Sequence, residues 1–208
     1  MKKIFDLDNP IWRFIGNLAD FFLLSVYWYL CAILIIPMGA GTTAMHSVTL
    51  KMASHTEGYT TQGFFKAFKD DFRQGTVMGL CYLGVGLVIT IDFYWIFFGN
   101  PKVGVYFLPL AIMIAAVYLL CANFTFPMLS HYDNDTKSLL ILGVSYTFKN
   151  LIPVFSYTLL TIGIFALGIF VFWPILLIAP GLSAYISAFI LNRIFTKYDK
   201  NADSSQSD

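Results

Sequence analysis

Three long stretches of the chain carry no charged side chain: no Asp, Glu, Lys or Arg occurs from Phe21 to Leu50, from Val103 to Ser130 or from Leu151 to Asn192. About 20 apolar residues suffice to cross a bilayer's hydrocarbon core, where a helix satisfies its own backbone, so these runs predict transmembrane helices. A fourth apolar run, Val77 to Phe98, contains one acid, Asp92. The last run is too long for one ordinary span and divides near Trp173-Pro174. The pattern therefore predicts five spans, at about Asp20 to Ile36, Val77 to Phe98, Val103 to Leu129, Leu151 to Phe172 and Pro174 to Phe195.

Shorter patterns connect them. Asn9-Pro10 reads as an N-cap followed by proline at the first helical position, and Ile11, Phe14, Ile15 and Leu18 recur at helical spacing. This predicts a short interfacial segment ahead of span one. Pro37, Gly39 and Gly41 break the apolar run after Ile36, with the helix resuming through Met45, Val48 and Met52. His55 to Gln62 is polar and predicts a loop. Phe64, Phe68 and Phe72 then stack every four residues while Lys66, Lys69, Asp70 and Arg73 lie off that stripe, the pattern of an amphipathic helix at an interface. Gly99 to Lys102 and His131 to Lys137 read as turns. The tail from Lys197 to Asp208 is polar and is expected to be disordered.

One apolar word occurs twice. Leu30-Cys31-Ala32, four residues, then Pro37-Met38 returns as Leu120-Cys121-Ala122, four residues, then Pro127-Met128. Leu140, Val144 and Phe148-Lys149 also align with Thr60, Phe64 and Phe68-Lys69 at a shift of eighty. The pair reads as a parallel internal duplication, about 18–98 against 103–172, with 174–195 as an added final span. The expected architecture is an all-α transmembrane bundle over 1–196 as a single domain.

Composition narrows the class. The chain of 208 residues is 58% hydrophobic and only 12% charged, about half the charge fraction of a soluble domain. A net charge of +1 without a concentrated basic face argues against nucleic acid as a partner. Cys31, Cys81 and Cys121 all sit in apolar runs, where a thiol behaves as a small hydrophobe, so no disulfide framework is expected. With five spans, nine cations fall on one side and four on the other, which places the amino terminus outside and the carboxyl terminus in the cytoplasm.

Few residues suggest chemistry. An acid within the bilayer marks a functional site by default, which singles out Asp92. Its alternative reading is a boundary residue, since it lies about two turns, ~10 Å, from the span's end. Asp20 reads as a boundary residue at the start of span one. His46, His55 and His131 lack the short spacing of a metal or haem site, and the plain reading of His46, near Thr42 and Thr43, is that it faces polar backbone at the break. Gly39 and Gly41 either expose backbone to a ligand or let helices pack closely. Pro127 and Pro180 mark further helix breaks. No serine nucleophile elbow, phosphate loop, zincin motif or carboxylate pair occurs, so no enzyme, metal or cofactor is expected.

The Ile36 to Thr42 exit, the Phe64 to Phe72 segment, and the late Pro180-Gly181 followed by Asn192-Arg193 resemble the YesL-like bacterial integral membrane proteins, defined by domain of unknown function 624. The resemblance implies a small multi-pass protein of the bacterial plasma membrane, encoded near carbohydrate uptake genes, with no established activity. The expectation that follows is an accessory component of a carbohydrate transport system. Its partners are the lipid bilayer and transporter subunits or further copies of itself. A stand-alone carrier or channel is the alternative, and a membrane-embedded enzyme using Asp92, Asp20 or His46 a weaker one.

Overall fold

The computed structural model describes residues 10–54, 59–99, 101–132 and 135–206, all in helices and their connections. The helices are α1 (Pro10–Ile33), α2 (Met38–Ala53), α3 (Thr60–Asp70), α4 (Phe72–Phe98), α5 (Pro101–Leu129), α6 (Thr136–Lys149), α7 (Leu151–Phe170) and α8 (Ala179–Gln206), with a 3₁₀ turn over Trp173–Leu177. The all-α bundle is as expected. His55, which the pattern placed in a loop, lies outside the described residues.

Among the described residues four helices, not five, are long and apolar enough to cross a membrane: α1 from Gly16 to Ile33, α4, α5 from Tyr106 to Leu129, and α7. The expected final span is the one missing. Its helix begins at Ala179 rather than Pro174 and carries Ser183, Ser187, Asn192 and Arg193, which lower its apolar content. The charge count that oriented the termini assumed five crossings, so four leave that orientation without its basis. The helix also runs on through Gln206, into the sequence expected to be a disordered tail. Extending an existing helix adds one hydrogen bond per residue fixed, without a new nucleation step.

The lead segment and span one form one helix, because nothing between Pro10 and Ile33 interrupts hydrogen bonding. Asp20 therefore stands inside α1 and within its apolar span rather than at its start. The break after Ile33 is sharp. Ile35 takes φ of 60°, a left-handed conformation that costs a β-branched residue roughly 1–2 kcal/mol. Ile35→Gly is accordingly expected to raise the unfolding free energy by about 1 kcal/mol, read from denaturant unfolding in detergent.

Pro37 caps α2, which then folds back along α1 and is buried from Gly39 to Leu50 except at half-buried Thr42. Small residues permit this. A Cβ on Gly41 would fall 2.7 Å from Cys31 Cβ in α1, and one on Gly79 in α4 would fall 2.8 Å from Gly39 Cα. The Phe64 stripe ends one turn early: Asp71 breaks it, and Phe72 opens α4 while its ring still meets Phe68 at 5.3 Å. Phe64 is buried and Phe65, Lys66 and Lys69 are exposed, the amphipathic pattern expected.

The two copies of the repeated word have different backbones. The first spans the α1–α2 break, whereas the second is continuous helix through Pro127 to the end of α5. Elsewhere the halves correspond: α3 meets α4 at the single residue Asp71, as α6 meets α7 at Asn150. In α6 the buried face is Leu139, Gly143 and Thr147, one position before the stripe that the pattern identified. A Cβ on Gly143 would lie 2.6 Å from Thr125 Oγ1, so glycine there lets α6 press onto α5.

Packing divides into an inner and an outer region. One cluster joins Leu50, Met78, Phe124, Leu139, Val154 and Leu191; another joins Phe21, Leu24, Val48, Phe64 and Ala184 around α1 and α2. Beyond Gly79, α4 buries no residue, and with the facing part of α5 it forms a two-helix hairpin whose outer surface is apolar.

Candidate functional site

Helices α2 and α8 begin beside α1, and each start is fixed by a small residue. Gly181 of α8 sits so close to Phe21 that a Cβ would meet the Phe21 carbonyl oxygen at 2.5 Å. Its backbone N–H donates to Ser25 Oγ at 3.0 Å, and Ser25 in turn donates to Phe21 O at 2.7 Å. A side chain of α1 thereby satisfies one of the unpaired amides at the α8 amino terminus. At the other end of α2, Asn192 of α8 donates to Leu50 O at 3.2 Å, a second hydrogen bond to a carbonyl that the Ser54 N–H already reaches at 3.1 Å.

Between these anchor points lies an inner cavity of about 110 Å³, reached by α1, α2, α5, α7 and α8. Thr42, Met45 and His46 enter from α2, and Pro180, Ser183 and Ser187 from α8. Tyr157, Thr161 and Phe165 follow one another at four-residue intervals on α7, which puts all three on one face. Trp28 and Asn123 complete the wall from α1 and α5.

The wall mixes apolar with polar side chains, and none of its described lining residues is Asp, Glu, Lys or Arg. Trp28 Nε1 donates to Thr42 Oγ1 at 2.9 Å, and Thr42 donates to Met38 O at 2.9 Å. Ser183 and Ser187 donate to Pro180 O at 3.0 Å and Ala184 O at 2.8 Å. Thr161 donates to Tyr157 O at 3.0 Å, and Asn123 Nδ2 to Leu119 O at 3.0 Å. His46 Nδ1 and the Tyr157 hydroxyl are buried without a hydrogen-bond partner among the described residues. Burial pushes the His46 pKa down, which favours the neutral imidazole.

Thr42 also borders a second cavity of about 160 Å³, on the side of α4 and α5. Gly39 and Gly79 close one wall of it, and Tyr82 and Tyr118 another. The tyrosines are tied in place: Tyr82 OH lies 2.7 Å from Thr125 Oγ1, and Tyr118 OH donates to Tyr82 O at 3.0 Å.

The residues singled out by sequence thus separate. Thr42, His46 and Pro180 meet at the inner cavity, and Pro37 caps the helix that carries Thr42 and His46. Gly39 and Gly41 make the close approaches described above, and Gly39 also borders the second cavity. Pro127 is buried in the last turns of α5. Asp92 is exposed, in a separate groove of about 680 Å³ near the tip of the α4–α5 hairpin, walled by Trp95, Phe107 and Leu110. Asp20 is not among the described residues lining any of these spaces. His131 stacks on Phe195, ring centroids 4.5 Å apart, away from the inner cavity.

Sequence reading passed over Tyr157, Asn123, Ser183 and Ser187. The available signal was spacing: Tyr157 and Thr161, and Ser183 and Ser187, are polar pairs four residues apart in apolar runs, and Asn123 is a lone amide in another.

Residues 21–93, from α1 almost to the end of α4, match the family model described as protein of unknown function, DUF624. That agrees with the family resemblance read from the motifs, although the late Pro180-Gly181 and Asn192-Arg193 lie beyond the matched stretch. No curated protein and no solved structure matches the chain.

Proposed function

We propose that the chain is a non-enzymatic accessory subunit of a membrane transport system, with carbohydrate as the cargo, a reading that rests on the match of residues 21–93 to the DUF624 family model and on the four described helices fit to span a membrane. The observation that carries this reading is the α4–α5 hairpin. Leu87, Tyr94, Trp95 and Phe98 of α4, with Tyr106 and Phe107 of α5, are all exposed, so the hairpin offers helix surface within the bilayer that its own chain leaves uncovered. Helices associate in lipid through close side-chain packing, and an uncovered hairpin supplies such a surface to the membrane helices of a partner. The interior supports the same reading, because the cavities of about 110 and 160 Å³ are small for a sugar path and carry no charged side chain among their described lining residues. Asp92 and His46 line different spaces and Asp20 is in the lining of neither, which supports the non-enzymatic reading.

Photocrosslinking from position 98 in the membranes of the protein's own host is expected to capture a membrane subunit of a transporter, and deletion of the chain to reduce sugar uptake. Recovery of lipid or of a second copy alone, with uptake unchanged on deletion, would refute the proposal. The alternative reading, a stand-alone carrier, is favoured by Thr42 standing between the two cavities. Solute flux by the purified chain in liposomes, lost in Thr42→Val, would replace the accessory reading with that one.

A further inference from the structure

We propose that the groove beside Asp92 receives a Lys or Arg side chain carried by a membrane helix of another protein, an inference that rests on the accessory reading and names the chemistry by which the partner is recognised. Asp92 is the only Asp, Glu, Lys or Arg between Arg73 and Lys102, and no residue ion-pairs or hydrogen-bonds with it among the described residues. It is exposed on a span whose neighbouring surface, at Ile91, Tyr94 and Trp95, is apolar and exposed as well. An acid on a lipid-facing surface is costly unless it is paired, and it marks a functional position by default.

The groove has a form that a helix can enter. Asp92, Trp95 and the C-cap Gly99 line it from α4, and Gly104, Phe107 and Ala111 from α5, in both cases at spacings of three and then four residues that keep to one side of the helix. A Cβ on Gly104 would run into the Ile96 carbonyl oxygen, so the two helices touch there and the groove is the furrow between them. Such a furrow accepts the side-chain ridge of a third helix.

The chemistry of the walls determines the charge of what enters. One carboxylate between two exposed aromatic rings, Trp95 and Phe107, suits an organic cation, held by the ion pair and by the ring faces. A metal ion is disfavoured, since no group of three His, Cys, Asp or Glu able to hold one occurs among the described residues. A second copy in the same membrane orientation does not supply the cation. The apolar windows of α1, α5 and α7 contain no Lys or Arg, and Arg73 lies about 28 Å along α4 from Asp92, at the other membrane face. Tyr94, Trp95 and Tyr106, exposed near the hairpin tip, favour the headgroup level. The partner's cation therefore belongs within about two turns of the end of its own span, a depth that the long stem of Lys or Arg tolerates.

A photocrosslinking phenylalanine analogue at position 107, in membranes of the protein's own host, is expected to capture another membrane protein through a helix with Lys or Arg near one end of its apolar span. Asp92→Asn should lower that capture about tenfold, Asp92→Glu should retain it, and Asp92→Lys combined with Asp in place of the partner's cation should restore it. Because Asp92 is exposed and unpaired, Asp92→Asn should leave the melting temperature of the purified chain unchanged. Equal falls in melting temperature in Asp92→Asn, Lys102→Gln and the double variant would make the chain's own Lys102 the counter-ion and overturn the proposal. Lipid or a second copy as the sole species crosslinked from position 107, or capture as strong in Asp92→Asn as in the parent chain, would overturn it too. Partner capture from position 98 and reduced uptake on deletion would in those cases leave the accessory reading standing, whereas their failure removes both.

Discussion

Gly39→Val is expected to abolish the folded bundle, seen as loss of the monodisperse peak in detergent and of the cooperative unfolding transition. A Cβ on residue 39 would run into the Gly75 carbonyl oxygen and come within 2.8 Å of Gly79 Cα. Both obstacles are backbone, so no rotamer change relieves the contact. Overpacking a core is typically destabilising by 1–3 kcal/mol, and here the effect should reach or exceed about 3 kcal/mol because two helices must separate. That is a large part of the roughly 5–15 kcal/mol by which folded proteins are stable. In lipid the loss bears on the main source of association, since close backbone approach gives the packing that holds membrane helices together. Gly84→Ala is the matched control. It lies further along α4 with nothing within 4 Å of an added Cβ, and should be neutral or stabilising by up to about 1 kcal/mol. Equal damage from both substitutions would refute the close α2–α4 contact.

Phe64→Ala is expected to lower stability by roughly 3–5 kcal/mol, the range for deleting a buried aromatic ring, measured by denaturant unfolding. Phe64 is 1% exposed, joins the cluster around α1 and α2, and meets Tyr27 with ring centroids 5.2 Å apart. Its helix has an exposed charged face, so the ring's alternative environment includes water, and both transfer and cavity contributions apply. Phe65, adjacent and 55% exposed, provides the comparison: Phe65→Ala should change stability by less than about 1 kcal/mol. Comparable losses at the two positions would mean that α3 does not rest on α1 and α2 as described.

These residues also show where sequence reading succeeds. The amphipathic face of α3 was legible because Phe64 and Phe68 repeat at the helix period while Lys66 and Lys69 do not, a local pattern that survives into the fold. Its end was not, because the stripe continues evenly through Phe72 although the backbone turns at Asp71. In α6 the periodicity identified a face one position away from the buried one. Leu140, Val144 and Phe148 are more apolar than Gly143 and Thr147, but close approach to Thr125 calls for small residues, so the less hydrophobic face is the one buried. In lipid, apolarity no longer distinguishes inside from outside, and residue size does so instead.

The candidate site was legible only in part, for a related reason. Thr42, His46 and Pro180 stood out because they lie at breaks in long apolar runs. Asp92 stood out more strongly, as a charge in such a run, yet it lies on an outer groove, exposed near the hairpin tip. Tyr157, Ser183, Ser187 and Asn123 looked like ordinary members of their helices, since a hydroxyl that bonds its own backbone is tolerated in any span.

By itself the sequence determined that this chain is a helical membrane protein, where four of its apolar helices lie, and that the first of them breaks ahead of Pro37. These follow from the length of apolar runs and from proline's missing N–H, both local properties of the chain. Only the tertiary structure decided that α2 lies buried within the bundle, that Gly39 and Gly41 sit at close helix contacts, and that α8 runs beside α2. It alone brought His46 and Tyr157, 111 positions apart, to one cavity. Convergence of that kind depends on which helix faces meet, and no periodicity within a single helix records it.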